Sequence, residues 1–319
     1  MEPDTSVTIC GIRMKNPVMA ASGTFGYGRE YGEVFDLSKM GAIVVKGTTL
    51  KPRMGNPPPR LAETPCGLLN SVGLENPGID VFIERELPYL RGLGVPVIVN
   101  VAGETPEEYA EVSKRLDKAP GVAALEVNVS CPNVKKGGMA FGTDPEALKE
   151  VISSVRRSTS LPLITKLSPN VSDIGFLARV ATNAGSDAIS LINTLLGMAI
   201  DVNTMKPVLG AVFGGLSGPA VKPVALRMVW EVSSAVRVPV IGMGGITSGT
   251  DAVEFLLAGA SAVAVGSATL VRPDACLEVV RGIWEFMKEK GVMTVGELVG
   301  AAKRKVDSGA GCPRGTRDF

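Results

Sequence analysis

The sequence predicts an α/β fold in which eight parallel strands close into a TIM-type (β/α)8 barrel, with residues 1–319 as one domain. Three observations carry this. Eight short runs rich in Val, Ile and Ala recur along the chain, apolar nearly throughout rather than alternating, as strands covered on both faces must be. Most intervals between them hold an amphipathic, helix-like segment, which makes the repeating unit βαβ. No GxGxxG follows the first run, which speaks against an open doubly wound sheet.

Residues 7–15 (VTICGIRMK) read as a hairpin turning at Cys10-Gly11, placed to plug the barrel's N-terminal mouth. The strands follow at Val18 to Ser22, Ala42 to Gly47, Pro96 to Val101, Ala124 to Ser130, Leu163 to Leu167, Ala188 to Asn193, Pro239 to Met243 and Ala262 to Gly266. Residues 48–78, after the second strand, carry Pro52, Pro57, Pro58, Pro59 and Pro65. A long Pro-rich insertion in a compact domain is usually functional or disordered, and this one falls on the side of the barrel where active sites sit. Helices are expected over Thr105 to Lys118, Asp144 to Thr159, Ser172 to Ala184, Pro219 to Val236 and Asp251 to Ala258. Thr105-Pro106-Glu107-Glu108 and Asp144-Pro145-Glu146 each put a capping side chain before a proline and acids, a strong helix start. Ser308 to Phe319 read as a loose tail.

Composition narrows the function. Lys+Arg number 33 against 32 Asp+Glu, a net charge of +1, without the basic excess of a nucleic-acid binder. Apolar stretches are strand-length, so no membrane span is expected, and the first residues lack a signal-peptide core. Five scattered cysteines without a CxxC pair argue for a reduced, cytoplasmic protein rather than a disulfide framework. The chain has no histidine. That removes Ser-His-Asp chemistry and His-ligated zinc, and no metal centre is expected. Acid–base work falls to Cys, Lys, Tyr, Asp or Glu.

Four constellations carry chemistry. Gly242-Met243-Gly244-Gly245-Ile246 and Val265-Gly266-Ser267-Ala268 end the seventh and eighth strands, where barrels commonly bind phosphate. Either loop alone is ordinarily a tight turn; the two together favour a phosphorylated ligand, without saying which. Lys46 and Lys166 sit in apolar flanks, AIVVKG and LITKLS, where a surface lysine is out of place and an anionic partner is needed. A reduced flavin would supply that charge; a Schiff-base lysine is the competing reading. Asn70, Asn100, Asn128, Asn133 and Asn193, with Thr194, offer amide donors and acceptors suited to a flat heterocycle. Asn70 and Asn133 alone would be turn residues, whereas Asn100, Asn128 and Asn193 fall in apolar strands, where Asn is disfavoured. Cys131 lies just past the fourth strand in Asn128-Val129-Ser130-Cys131-Pro132-Asn133. A lone cysteine is by default a small buried hydrophobe, but strand ends of barrels hold catalytic groups and neighbouring lysines lower a thiol's pKa. Cys131 is therefore the candidate base. The segment Val134 to Thr143, with Gly137-Gly138, reads as a lid over the site.

These residues lie in motifs that resemble the dihydroorotate dehydrogenases, class 1 in particular. The motifs are ASGTFGYG (21–28), VVKGTT (44–49), NSVGLENPG (70–78), VNVAG (99–103), EVNVSCPN (126–133), TKLSPN (165–170), INT (192–194), GGLSGPA (214–220), GMGGI (242–246) and VGSA (265–268). The resemblance implies FMN held by Ala21, Ser22, Lys46, Gly47, Asn100, Asn128, Lys166, Ile192, Gly218, Gly244, Gly245, Gly266 and Ser267. It implies substrate held by Lys46, Asn70, Ser71, Val72, Gly73, Leu74, Asn128, Asn133, Asn193 and Thr194. Cys131 would remove the C5 proton of dihydroorotate while hydride passes from C6 to the flavin. GLENPGID (73–80) resembles class 1B, which implies a dimer of this chain joined by a second subunit carrying FAD and a [2Fe–2S] cluster, with NAD as acceptor. A fumarate-linked homodimer of class 1A and a dihydropyrimidine reductase remain alternatives, as does a non-redox phosphosugar enzyme from another class. A tRNA dihydrouridine synthase would need a basic face that a net charge of +1 does not suggest.

Overall fold

A computed structural model describes residues 2–130, 132–133 and 139–307. Cys131, the first half of the lid segment (134–138) and the tail from 308 lie outside the described residues, as does the side chain of Asn133.

The predicted barrel is present. Its strands are β1 (Val18–Ala20), β2 (Ala42–Thr48), β3 (Val97–Val101), β4 (Val122–Asn128), β5 (Leu163–Lys166), β6 (Ala188–Leu191), β7 (Val240–Met243) and β8 (Ala262–Val265). Each pairs in parallel with the next, and β8 closes on β1. Each predicted run overlaps one of these strands, with β2 running one residue further and β4 starting two residues earlier than expected. They are buried on both faces, which is why their sequences do not alternate.

The hairpin is also where the sequence put it. Val7–Ile9 pairs antiparallel with Ile12–Met14. Cys10 (φ 50°) and Gly11 (φ 80°) form its turn, in the left-handed pair that two-residue hairpins prefer. Ile9 and Met14 pack among the inward-facing Met19, Val44, Ile98, Ala124, Ile164 and Ile241, so the hairpin closes the barrel floor. Outward-facing strand residues bury against the helices. In the helix Pro106–Asp117 the buried positions include Tyr109, Val112 and Leu116, one stripe at helical spacing. Thr105 accepts from the Glu108 N–H, and Asp144 accepts from the Ala147 N–H to start the helix Pro145–Ser158. Among the described residues no helix is long and apolar enough to cross a membrane.

The sequence reading marked two segments beyond a minimal barrel; the structure has a third. Residues 195–217, between β6 and the following helix, contribute Leu195–Met198 and Phe213–Ser217 to a four-stranded antiparallel sheet. Its other strands, Gly67–Asn70 and Leu61–Thr64, come from the Pro-rich insertion. The sheet was hard to see because its strands are short, partly exposed and interrupted by Gly197, Gly214 and Gly215. Neither buried-run nor strict alternation patterns apply to them. The two insertions thus lock together beside the barrel's C-terminal mouth.

Candidate active site

The mouth contains a buried polar layer. Glu126 of β4 is 1% exposed. Its Oε1 accepts from Asn100 Nδ2 of β3 at 2.7 Å, and its Oε2 accepts from Ser190 Oγ of β6 at 2.8 Å. Lys166 of β5 brings Nζ to 3.9 Å from Glu126 Oε1 and donates to Ser22 Oγ at 3.1 Å. Four neighbouring strands therefore send one polar side chain each to a common point. Lys166 was expected to need an anionic partner, and part of that partner is Glu126, a residue of this chain. Glu126 carries the same sequence signal as the lysines, since VAALEVN is as apolar a setting as LITKLS. Lys46, half-buried on β2, has no ion pair among the described residues.

One atom of this layer is left over. Asn100 Oδ1 is buried and has no hydrogen-bond partner among the described residues, and buried polar atoms are rarely left so. It faces the gap above Gly47, where a Cβ would stand 3.3 Å from it and 3.0 Å from Leu74. Leu74 thus carries the insertion down over the strand ends.

The amide cluster lies alongside. Asn193 Nδ2 donates to Ser130 Oγ at 2.9 Å and to Asn128 Oδ1 at 3.4 Å, and Asn193 Oδ1 accepts from the Thr194 N–H. Tyr109 Oη fixes the Asn128 carbonyl from below at 2.7 Å. Asn100 and Asn128 are strand residues as expected, but Asn193 is not: β6 ends at Leu191, and the Asn193 N–H turns to the Leu167 carbonyl. Asn70 Nδ2 donates to the Gly215 carbonyl at 3.2 Å, while a Cβ on Gly215 would strike Thr194 Oγ1. The strand Phe213–Ser217 therefore joins the Asn70 segment to the Asn193-Thr194 segment. Ser71 is buried, and its hydroxyl has no hydrogen-bond partner among the described residues.

The two glycine loops converge with the residues expected beside them. A Cβ on Gly244 would meet Ile192, and one on Gly245 would meet the Gly218 carbonyl and Lys222. Both glycines have positive φ, 122° and 76°, so the fold itself demands glycine there. Gly266 differs. Its φ is not in the left-handed region, and the nearest atom to a Cβ would be that of Ala21, 3.8 Å away. Among the described residues nothing requires glycine at 266, and the space it leaves adjoins Ser267, whose side chain makes no capping hydrogen bond there. Asp251 anchors the β7 loop, accepting from Thr247 and Ser248 and from Lys222 Nζ at 2.7 Å. Burial raises its pKa, but these hydrogen bonds outweigh that and leave it at about 2. Sequence reasoning missed Asp251, although the Ser248–Asp251 capping box was visible.

Two other cysteines, Cys10 and Cys276, offer no rival base. Burial pushes the Cys276 thiol up to about 12, and burial with the nearby Asp187 pushes Cys10 up to about 11. Two cavities of about 420 and 440 Å³ lie away from the mouth, one against Arg179 and Trp230, the other at the floor beside Cys10 and Arg156.

The residues present fit a phosphorylated heterocycle: lysine cations, an orphaned amide carbonyl, and glycine loops with one space that the chain leaves unfilled. Fold and geometry together define a (β/α)8 barrel with a candidate ligand site at the C-terminal ends of its strands. The chain belongs to the dihydroorotate dehydrogenase family: the model for dihydroorotate dehydrogenase matches residues 5–287. It is similar to "Dihydroorotate dehydrogenase B (NAD(+)), catalytic subunit" of Pelobacter propionicus, 58% identical over 301 residues, covering 94% of this chain and 99% of that protein. Proteins of the same name from Geotalea daltonii (58% over 302 residues) and Desulforamulus reducens (59% over 302 residues) each cover 95% of this chain and 99% of their own length.

Proposed function

We propose that this chain is the catalytic subunit of a class 1B, NAD-linked dihydroorotate dehydrogenase, oxidising dihydroorotate to orotate in pyrimidine biosynthesis. The observation that carries this is the near full-length similarity to relatives named as NAD(+)-type catalytic subunits. FMN, when bound, supplies a two-electron acceptor for the hydride leaving C6 of dihydroorotate. Gly244, Gly245, Gly266 and Ser267 receive its phosphate, with Ala21, Ile192 and Gly218 packed around those loops. Lys166 sets a positive charge at the ring, Ser22 orients that lysine, and Asn100 and Asn128 meet the ring's polar edge beside Lys46 and Gly47. Substrate lies between the insertion, Asn70 to Leu74, and the amides of Asn128, Asn133 and Asn193 with Thr194. Lys46 balances the substrate carboxylate. Cys131 takes the C5 proton, and a reducing cytoplasm keeps its thiol free.

On this reading a partner docked on a dimer of this chain would carry FAD and a [2Fe–2S] cluster and supply the route for electrons to NAD. Leu196, Met198, Ile200, Val202, Met205 and Phe213 are exposed on the second insertion, an apolar surface of the kind that contacts another chain. The purified chain with dihydroorotate is expected to reduce artificial dyes but not NAD, and to gain NAD reduction when that partner is added. Rapid fumarate reduction by the chain alone would move it to the class 1A branch. Preference for dihydrouracil over dihydroorotate would make it a dihydropyrimidine reductase.

A further inference from the structure

We infer that Glu126 is a positioning residue that sets both the hydrogen-bond polarity of the cofactor pocket and the reduction potential of the flavin held there. The inference rests on the FMN reading above.

The polarity argument is one of donors and acceptors. A carboxylate only accepts, whereas an asparagine amide could present either end. Glu126 Oε1 takes the Asn100 amide N–H at 2.7 Å, so Asn100 cannot turn over without setting two acceptors against each other. Its Oδ1 is thereby held as the presented atom, buried and without a partner among the described residues. A ligand seated above Gly47 must meet it with an N–H. The ring imide of a flavin has one.

The charge argument concerns Lys166, which is 5% exposed. Its ammonium lies 3.9 Å from Glu126 Oε1, so its field at the ring is already partly cancelled. A reduced flavin carries added negative charge. An unopposed lysine would favour that state strongly; a lysine shared with Glu126 favours it less. Glu126 thus keeps the potential low, as suits a chain whose electrons must go on toward nicotinamide. The ordinary reading is a buried ion pair that serves only the fold. The two differ in what they predict for the bound flavin.

The test is the midpoint potential of bound FMN in wild type, Glu126→Gln and Glu126→Asp, with FMN affinity and thermal unfolding measured in parallel. Gln keeps an acceptor for Asn100 and a contact for Ser190 but removes the charge. The preference for reduced over oxidised FMN should rise roughly tenfold, the scale of one unit charge roughly 12 Å away at an effective dielectric of about 20. That is a positive shift of about 30 mV for a two-electron couple. Asp keeps the charge but withdraws it from Lys166, so its potential should fall between the other two. If Gln prevents folding, the positive shift in Asp carries the test alone. Folded, flavin-loaded variants with the wild-type potential would overturn the inference and leave the FMN reading standing. Wild-type protein that neither contains nor takes up FMN would remove both.

Discussion

Cys131→Ala is expected to fold, to keep its flavin and to lose dihydroorotate turnover by roughly 10²–10⁴-fold, the usual contribution of a general base. The expectation rests on place and chemistry. The chain has no histidine, and two other cysteines, Cys10 and Cys276, have thiols raised to about 11 and 12, far from a working thiolate at neutral pH. Cys131 directly follows Ser130, whose hydroxyl accepts from Asn193 in the amide cluster. Cys131→Ser should retain a little activity and need a higher pH, because a hydroxyl is a weaker acid than a thiol. Steady-state rates with flavin content measured on the same samples decide the matter. Wild-type turnover in a flavin-loaded Ala variant would show that the proton leaves by another route.

The second large effect is expected at Gly266. An aspartate there fits the backbone, since the φ is ordinary and a Cβ has 3.8 Å of clearance from Ala21. Its carboxylate would occupy the place proposed for the FMN phosphate. Like charges about 4 Å apart cost roughly 4 kcal/mol at an effective dielectric of 20, so FMN affinity should fall on the order of a hundredfold or more. Gly266→Ala, which adds bulk without charge, should bind FMN far better than the Asp variant. Gly245 is the poorer probe. Its φ of 76° and its approach to Lys222 and Gly218 mean that any side chain would disturb the loop whether or not phosphate binds there. Unchanged flavin content in Gly266→Asp would place the phosphate elsewhere.

The barrel was legible because its strands are buried on both faces, so sequence and environment agree at nearly every position of runs such as Ala42–Thr48 and Val97–Val101. The helix starts at Thr105 and Asp144 were legible because each cap is a local event. The insertion sheet was not. Leu61–Thr64 and Leu195–Met198 gain their order from pairing with strands distant in sequence, and no local pattern records that. Within the site, Lys166 and Asn100 stood out as polar residues in apolar strands, but Glu126 passed unnoticed although its setting is the same. Its meaning depends on three partners, Asn100, Lys166 and Ser190, that only the closed barrel brings together. Asp251 was hidden differently. It reads as a capping residue, and only the fold reveals that it also holds Lys222 and the loop after β7. The distinction between Gly245 and Gly266 needed backbone angles and neighbouring atoms, which sequence does not carry.

The central claim, that this chain oxidises dihydroorotate with its own FMN, is tested most directly by mixing the purified protein with dihydroorotate in the absence of oxygen and any other acceptor. The flavin absorption band should bleach, and one orotate should form for each flavin reduced. A preparation without a flavin band after incubation with FMN, or a band that dihydroorotate leaves unchanged, would contradict the account.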